Sequence, residues 1–374
     1  MAIAFMSRAG TVLESALPYT QAANVSSLTE GRTPDNYAHS LRLREAYRIG
    51  SVTEANRDEI KRLIMTHGAV AVSYHHDKSG VSQSSYYFSS QRGYGHAVAL
   101  VGWDDDYTGN NFISKGAWLA KNSWGTNWGD GGYFWISYSQ TIGDCAVYVA
   151  DTSSSELTCR GYDVLTNAGR INYHWSANIF RAEGKEAIRE VAFHTADNNS
   201  PYEIYINVLS KDFYPANPGI PGIALLSGTM PYAGYHTVSL NSPVELEDGE
   251  YYAVIVKLGS ASTYEYVTAV EDTGTFSAAS VNAGESYFAR DESVPTLSDW
   301  KDGKTITDTG TGRPCNACIK AFTVDASSPE PEPEPTPEPQ NDSGGGGGSG
   351  GCSSSSLPAC VSMLVLAFAV SRKK

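Results

Sequence analysis

Cysteine is sparse in this chain, and its distribution matters more than its number. The 374 residues include only 6 cysteines, and the first of them is Cys145. So few cysteines in a chain of this size exclude a disulfide-dense scaffold, in which several bridges replace a large core. Chemistry that needs a thiol upstream of Cys145 has no residue in this sequence to supply it.

Basic residues are also few. The chain has 27 lysines and arginines against 41 aspartates and glutamates, which gives a formal net charge of −14 at pH 7. Because recognition of a phosphate backbone needs a basic surface, this balance argues against nucleic acid as a partner. The hydrophobic content of 41% is that of a globular protein and not of a disordered one.

The N-terminus lacks the apolar core and the small-residue cleavage site of an export signal. The longest apolar run lies instead near the C-terminus, at Leu357–Val370, and is followed by Arg372, Lys373 and Lys374. The run is shorter than the usual membrane span of about 20 residues, but its basic end favours an anchor or sorting signal over a fraying tail. Since such an end should accompany an export signal, we expect that the sequence begins within a domain.

Residues 1–152 mix helix and strand patterns. Asn56 and Glu59 predict a helix start with a capping box, apolar residues then recur at helical spacing, and Gly68 ends the helix. Short apolar runs separated by turns predict four strands, at Ala69–Tyr74, His96–Trp103, Ala117–Lys121 and Tyr133–Tyr138. We therefore expect an α+β domain whose second part is rich in strands.

Residues 153–325 differ in character, because they show almost no helical periodicity. Alternating segments such as Glu203–Leu209 and Tyr251–Leu258, with turn signals between them, predict an all-β antiparallel sandwich. A linker at 326–351 follows, with a Pro/Glu stretch that should be extended and a Gly/Ser stretch that should be disordered. Residues 352–374 then form the predicted C-terminal sorting or anchor segment.

A histidine and an asparagine carry the clearest chemical pattern. His96 opens one predicted strand, and Asn122 follows the end of a later one. An amide oxygen that accepts from one ring nitrogen fixes the tautomer of a histidine, and the other nitrogen can then face a thiol. An imidazole in that position also stabilises a thiolate and lowers the thiol pKa. The pair therefore indicates half of a cysteine-nucleophile site.

The residues around this pair make the pattern specific. The stretches GHAVALVGW and KNSWGTNWGDGGYF closely resemble the His and Asn blocks of papain-like cysteine peptidases, in the same order, and the resemblance extends over residues 1–150. It implies the β-rich right-hand domain of that α+β fold. It also implies that His96 is the general base and acid, that Asn122 orients it, and that Trp124 shields the His–Asn hydrogen bond from water. No metal and no cofactor are implied.

The resemblance does not include the nucleophile. Family members carry a cysteine in a QGxCGxCW-like block at the start of a helix, upstream of every segment matched here, and the Gln of that block donates to the oxyanion hole. No such block occurs in this chain. Two explanations remain: an N-terminal truncation, which we favour, and a genuine pseudoenzyme. In either case we predict that the chain alone has no peptidase activity.

The predicted sandwich has a resemblance of its own. Segments Trp175–Ile206 and Cys318–Val324 resemble the lectin-like domain that follows papain-like domains in some bacterial and archaeal surface proteins. Tyr173, Trp175 and Tyr202 could stack on sugars, but we interpret them as core or edge residues. No binding site is therefore assigned to this domain.

Three other groups are weaker candidates for sites. The run Asp104–Asp106 is interpreted as a solvated turn, because consecutive carboxylates lack the alternate spacing of a calcium loop. Cys315 and Cys318 form a CxxC that predicts a local disulfide or two plain thiols, with Cys159 as an alternative partner. His75 and His76 are expected on a solvent-exposed loop and not in a metal site, because no Cys or Glu lies nearby at ligand spacing.

The C-terminal segment completes the prediction. Its sequence, GGGGGSGGCSSSSLPACVSMLVLAFAVSRKK, resembles the sorting tails of the Synergistetes group, which implies that Cys352 is the processing or lipid-attachment site. We therefore expect a bacterial cell-surface cysteine endopeptidase that acts on proteins or peptides and is attached to the membrane through its tail. The alternative is a non-catalytic surface protein whose sandwich binds a glycan or a protein. Acyl transfer by the same residues is a third interpretation.

Overall fold

The computed structural model describes residues 2–11, 41–82, 84–89, 93–151, 157–164, 169–211, 214–259, 267–272, 280–306 and 312–326. Cys352, the predicted linker beyond Ala326 and the predicted C-terminal segment lie outside these residues. Within the described ranges, no helix is both long enough and apolar enough to cross a membrane.

The N-terminal part, up to Asp151, contains two helices and eight strands among its described residues. The helices are α1 (Ala2–Arg8) and α2 (Arg57–His67), and a single 3-10 turn occupies Lys78–Gly80. The strands are β1 (Arg42–Gly50), β2 (Val70–Tyr74), β3 (Val81–Ser82), β4 (Ser85–Tyr86), β5 (His96–Asp104), β6 (Ala117–Lys121), β7 (Tyr133–Ser137) and β8 (Ile142–Asp151). All four strands expected in this part are present, with bounds that differ by at most one residue at either end.

Helix α2 forms where the apolar spacing predicts it. Ile60, Leu63 and Ile64 are buried against the sheet, and Gly68 ends the helix in the left-handed conformation with φ 81°. The predicted capping box is wrong. The side-chain oxygen of Asn56 accepts from the Thr53 amide at 2.7 Å, so it closes the preceding turn and does not cap the helix.

The C-terminal part, from residue 157 onward, consists of strands in its described residues. They are β9 (Thr158–Gly161), β10 (Gly169–Ile171), β11 (Trp175–Arg181), β12 (Glu186–Thr195), β13 (Ser200–Val208), β14 (Leu226–Met230), β15 (Ala233–Leu246), β16 (Tyr251–Leu258), β17 (Thr268–Asp272), β18 (Ser286–Ala289), β19 (Lys301–Asp302), β20 (Cys315–Ala317) and β21 (Lys320–Asp325). Every pairing described between these strands is antiparallel, as the turn pattern predicts.

One sheet runs through both parts of the chain. Its 12 strands lie in the order β3-β4-β7-β6-β5-β2-β8-β1-β15-β12-β21-β9. Strand β1 makes the connection, because it pairs with β8 on one side and with β15 on the other, where Tyr47 lies opposite Gly234. The sequence pattern did not predict β1, so this junction emerges only in the folded chain.

Separate hydrophobic cores support the two parts. The first lies around Tyr74, Trp118 and Ile136, beneath the strands that carry His96 and Asn122. The second fills the space between β12 of the large sheet and the six-stranded sheet β14-β13-β16-β11-β18-β19, with Val191 and Val254 on facing sides. Tyr173, Trp175 and Tyr202 are all buried, so their interpretation as core residues is confirmed.

Candidate active site

Two neighbouring strands bring the predicted His–Asn pair together. His96 is the first residue of β5, Asn122 directly follows β6, and the two strands pair antiparallel with Ala99 opposite Lys121. The Nε2 atom of His96 lies 2.9 Å from the Oδ1 atom of Asn122. Because the two strands run antiparallel, the start of β5 lies beside the end of β6. A hydrogen bond therefore forms between side chains that are well separated in the sequence.

The backbone of Ser123 determines which way this hydrogen bond runs. Its amide lies 2.8 Å from the same Asn122 atom, Oδ1. A backbone N–H can only donate, so the atom it contacts must be the carbonyl oxygen of the amide. His96 Nε2 must therefore donate as well. The neutral ring then carries its hydrogen on Nε2 and its lone pair on Nδ1, which is the arrangement a general base requires.

Glycines shape the loop that holds Asn122. The amide of Asn122 donates to the carbonyl oxygen of Gly132 at 2.9 Å, which folds the loop back on its own start. Gly129 has φ 59°, and a Cβ atom there would lie 2.4 Å from the Tyr133 carbonyl oxygen. Only glycine fits such a close approach in the left-handed conformation. A glycine at position 129 is therefore a requirement of this loop.

An aromatic layer covers the pair. The ring of Trp124 stacks on His96 with centroids 4.6 Å apart and an interplanar angle of 24°. The ring of Trp128 packs edge-to-face against Trp124 with centroids 4.9 Å apart. Asn122 is 7% exposed, whereas Trp124 is 44% exposed. The hydrogen bond is therefore shielded from water, while the outer face of the indole is open in the described part of the chain.

Burial sets the proton affinity of His96. Desolvation lowers the pKa of His96 below its ordinary value, and the hydrogen bond to Asn122 offsets this effect only in part. A lowered pKa keeps the imidazole neutral at neutral pH, the form that can accept a proton. The arrangement is therefore suited to remove a proton from a thiol placed at Nδ1.

A second histidine adjoins the site, contrary to expectation. His75 and His76 lie on a loop, as predicted, but both are half-buried instead of exposed. The His76 ring lies 5.7 Å from that of His96 and 4.9 Å from that of Trp124, and its Nδ1 contacts the Tyr74 hydroxyl at 2.9 Å. The prediction failed because Tyr74, the last residue of β2, lies opposite His96 on β5. The loop that follows Tyr74 therefore begins beside His96.

The described cysteines do not resemble a nucleophile. Cys145, Cys159, Cys315 and Cys318 are all free thiols, so the CxxC holds two plain thiols and no local disulfide. Burial raises the pKa of Cys145 to about 12 and that of Cys315 to about 12. A catalytic cysteine needs the opposite shift.

The acidic run lies exposed at a turn, as expected, and its carboxylates also form ion pairs. Asp105 accepts from Lys61 at 2.7 Å and from the Tyr138 hydroxyl at 2.8 Å, while Asp106 pairs with Lys115 at 3.3 Å. Across the described ranges, no group of three or more His, Cys, Asp or Glu side chains is arranged to hold a metal ion.

Two family models match this chain. The model "Papain family cysteine protease" matches residues 1–155, and the model "Lectin like domain" matches residues 161–323. The chain therefore contains a papain-family cysteine peptidase domain followed by a lectin-like domain.

A solved protein has the same architecture. The chain is similar to the clostridial cysteine protease Cwp84 after propeptide cleavage, with 28% identity, a TM-score of 0.68, and coverage of 86% of this chain and 81% of that one. A structure of the cysteine protease and lectin-like domains of Cwp84, a surface layer associated protein of Clostridium difficile, matches at 27% identity with a TM-score of 0.66 and covers 86% of this chain and 72% of that one.

Curated relatives match over part of the chain. Cathepsin B-like CP2 of Giardia intestinalis is 28% identical over 151 residues, which are 38% of this chain and 46% of the relative. Cathepsin B-like CP3 of the same organism is 29% identical over 140 residues, or 35% and 43%. The chain thus spans less than half the length of these relatives.

Proposed function

We propose that this chain carries the base and the orienting residue of a cell-surface cysteine peptidase that hydrolyses proteins or peptides. One observation carries the proposal. The Oδ1 atom of Asn122 is fixed by the Ser123 amide and accepts from His96 Nε2, so His96 Nδ1 is available for a thiol.

The proposed mechanism uses His96 twice. Its Nδ1 takes the proton of a cysteine thiol, and the thiolate attacks the carbonyl carbon of the scissile peptide. The imidazolium then returns the proton to the leaving amine, and the neutral ring activates the water that hydrolyses the thioester. Asn122 holds the ring in place through both halves of the cycle. Trp124 keeps competing water away from their hydrogen bond.

The thiol and the oxyanion donor come from outside residues 1–374 in this proposal. The matched motifs of the chain include neither, and the pKa values of Cys145 and Cys315 lie far from those of a nucleophile. We therefore expect the purified chain to hydrolyse no generic peptide substrate. Measurable turnover that survives His96→Ala would contradict both the inactivity of the chain and the role of His96.

The experiment that tests the proposal begins with the DNA upstream of the Met1 codon. A reading frame that encodes a Cys-Trp helix block would be joined to this chain and assayed on a peptide substrate. We expect His96→Ala to reduce kcat by roughly 10⁴-fold or more, the loss typical of a catalytic base. His67→Ala is the matched control, because His67 is also half-buried but lies at the end of α2. Equal activity of both variants would refute the proposal.

A second candidate function is a non-catalytic surface-binding protein. The observation that favours it is the lack of any cysteine before Cys145. In this case the peptidase domain is a remnant, and the lectin-like domain binds a glycan or protein. An upstream region without a Cys-Trp block would support this alternative, and a glycan-array screen of the purified chain would then identify the ligand class.

Surface attachment is part of the same proposal. It is supported by the similarity to Cwp84, described as a surface layer associated protein, and by the apolar run and basic end after Cys352. We propose that Cys352 is the processing or lipid-attachment residue and that the tail contacts the membrane. Mass spectrometry of the protein from its native cells tests this point, since an intact, unmodified C-terminus would contradict it.

A further inference from the structure

A lysine and an aspartate are in direct contact in the interior of the lectin-like domain. Lys320 opens β21, and Asp163 lies two residues beyond the end of β9, the strand that pairs with β21. The Lys320 Nζ atom donates a hydrogen bond to Asp163 Oδ2, and each side chain is only 1% exposed. This is the most deeply buried ion pair of the described residues.

A glycine makes the contact sterically feasible. Gly161 lies directly opposite Lys320 in the antiparallel register. A Cβ atom on Gly161 would lie 3.0 Å from Lys320 Cγ and 3.4 Å from Asp163 Oδ1. The absence of a side chain at this position lets the lysine cross the neighbouring strand and reach the carboxylate.

A second buried carboxylate adjoins the pair. Glu271 on β17 is 0% exposed, and its Oε2 accepts from the amide of Val164, the residue after Asp163, at 3.0 Å. On another side, the ring of Tyr235 lies 5.6 Å from Lys320 Nζ. The amine and the carboxylate are thus enclosed by an aromatic ring, a third polar group and the strands of the sandwich.

The charges of this pair are poorly compensated. The Oδ1 atom of Asp163 is buried and has no hydrogen-bond partner in the described part of the chain. Burial raises the pKa of Asp163, and the negative charge of Glu271 adds to this effect, although Lys320 opposes it. Burial would lower the pKa of Lys320 and is the largest single effect, but Asp163 together with Tyr235, Cys159 and Cys318 more than offsets it, so the pKa is raised. Transfer of one proton from Nζ to Oδ2 removes both buried charges and leaves a neutral amine against a carboxylic acid.

We propose that Lys320 and Asp163 form an intramolecular amide crosslink between Nζ and Cγ. In the first step, the neutral Nζ attacks Cγ of the protonated Asp163 while Glu271 helps to move protons to and from the carboxyl oxygen. The Cγ–N bond forms, one Cγ–O bond breaks, and the oxygen leaves with two protons as water. No electrons are transferred, and no co-reactant is needed. The low-water interior favours condensation over hydrolysis.

The crosslink joins distant parts of the chain. Its two residues are separated by 157 positions, so it closes a loop that contains almost the whole lectin-like domain. A covalent bond across so long a loop restricts the unfolded chain and opposes its extension. Resistance to unfolding and extension would suit a domain at the cell surface, the location given in the proposed function.

Mass spectrometry of the full-length chain under reducing and denaturing conditions tests the proposal. We expect an intact mass lower than the sequence mass by one molecule of water, and a proteolytic fragment in which the Asp163 and Lys320 peptides are joined. Lys320→Arg should restore the sequence mass and shift the thermal midpoint downward. Lys257→Arg is the matched control, because Lys257 pairs with Glu203 in a partly exposed site, and it should retain the loss of water.

The wild-type mass decides the outcome even if a variant fails to fold. A fully folded wild-type protein with the unmodified sequence mass, and no joined fragment, would overturn the proposal in favour of a simple ion pair. Glu271→Gln separates the role of the third group. We expect the crosslink to form at least ten times more slowly in this variant, as followed by mass over time while newly synthesised chain that is not yet crosslinked folds, and an unchanged rate would remove Glu271 from the mechanism.

Discussion

At the scale of single residues, Asn122 holds the candidate site together. Its side-chain oxygen accepts from both His96 Nε2 and the Ser123 amide, while its buried Nδ2 atom has no hydrogen-bond partner among the described residues. An unpartnered buried donor opposes folding. The asparagine is therefore better explained by its effect on His96 than by any contribution to stability.

Replacement of Asn122 by leucine should change the titration of His96. Leucine has a similar size but accepts no hydrogen bond, so the interaction that raises the pKa of His96 is lost while burial remains. We expect the pKa of His96 to fall further below its ordinary value, as measured by NMR titration of the ring protons. His67 in the same sample is the internal control. An unchanged or raised pKa of His96 would show that the hydrogen bond does not stabilise the imidazolium.

At the scale of elements, strand β15 is critical, because it carries the junction between the two domains. Gly234 has φ 148°, and a Cβ atom there would lie 2.0 Å from the Ala46 carbonyl oxygen on β1. The two strands can pair at this point only because position 234 has no side chain.

We therefore expect Gly234→Ala to lower the free energy of unfolding by about 2–4 kcal/mol, because the clash is with backbone and cannot be relieved by a rotamer change. Gly184→Ala is the matched control, since Gly184 has φ 94° but no atom within 4 Å of the added Cβ. It should cost only about 1 kcal/mol for the backbone conformation. Urea denaturation of both variants measures the difference, and equal losses would contradict the steric argument.

The same strand contributes a pH-dependent component of stability. Burial lowers the pKa of His236 to about 4. Above pH 6.5 the side chain is neutral in the folded and the unfolded chain alike. Between pH 6.5 and about 4 the unfolded chain binds a proton that the folded chain does not bind, so the free energy of unfolding falls as the pH falls.

For His236 this loss should amount to the order of 3 kcal/mol in total, since each pKa unit corresponds to about 1.4 kcal/mol. The variant His236→Gln should show a flatter dependence of unfolding free energy on pH in that window. Chemical denaturation at a series of pH values measures the slopes of this variant and of the parent protein, and identical slopes would contradict the assignment.

At the scale of the whole molecule, an ion-pair cluster ties the two domains together. Glu190 on β12 accepts from Arg42 and from Arg44 on β1, each at 2.5 Å. The side chains of Arg42 and Glu190 are 6% and 8% exposed. The cluster lies beside the β1–β15 junction, so it couples the peptidase domain to the lectin-like domain through buried charge.

Removal of the shared carboxylate should destabilise the entire chain. In Glu190→Gln, Arg42 loses its carboxylate partner in a buried site, while the partly buried Arg44 keeps only Asp151, at 3.3 Å, and we expect a loss of about 3–5 kcal/mol. Glu203→Gln removes the partner of Lys257 in a partly exposed pair and should change stability by less than about 1 kcal/mol. Guanidinium denaturation followed by tryptophan fluorescence distinguishes the two, and comparable losses would mean that the cluster contributes little to the coupling of the domains.

The sequence by itself determined the local elements and the central pair of the site. Strands β5 and β6 and helix α2 follow from apolar periodicity, which is encoded in neighbouring residues. The pairing of His96 with Asn122 is predicted by two sequence blocks that resemble those of papain-like peptidases.

Only the tertiary structure decided the rest. The β1–β15 junction, the position of His76 beside His96 and the Lys320–Asp163 pair each depend on segments that are far apart in the chain. These contacts depend on which strand edges pair and which side chains are buried together. The alternation of hydrophobic and polar residues along one strand does not specify which distant strand it pairs with. The physical reason is that pairing between remote strands is selected by the packing of the whole sheet, whereas the hydrophobic pattern specifies only which face of each strand is buried.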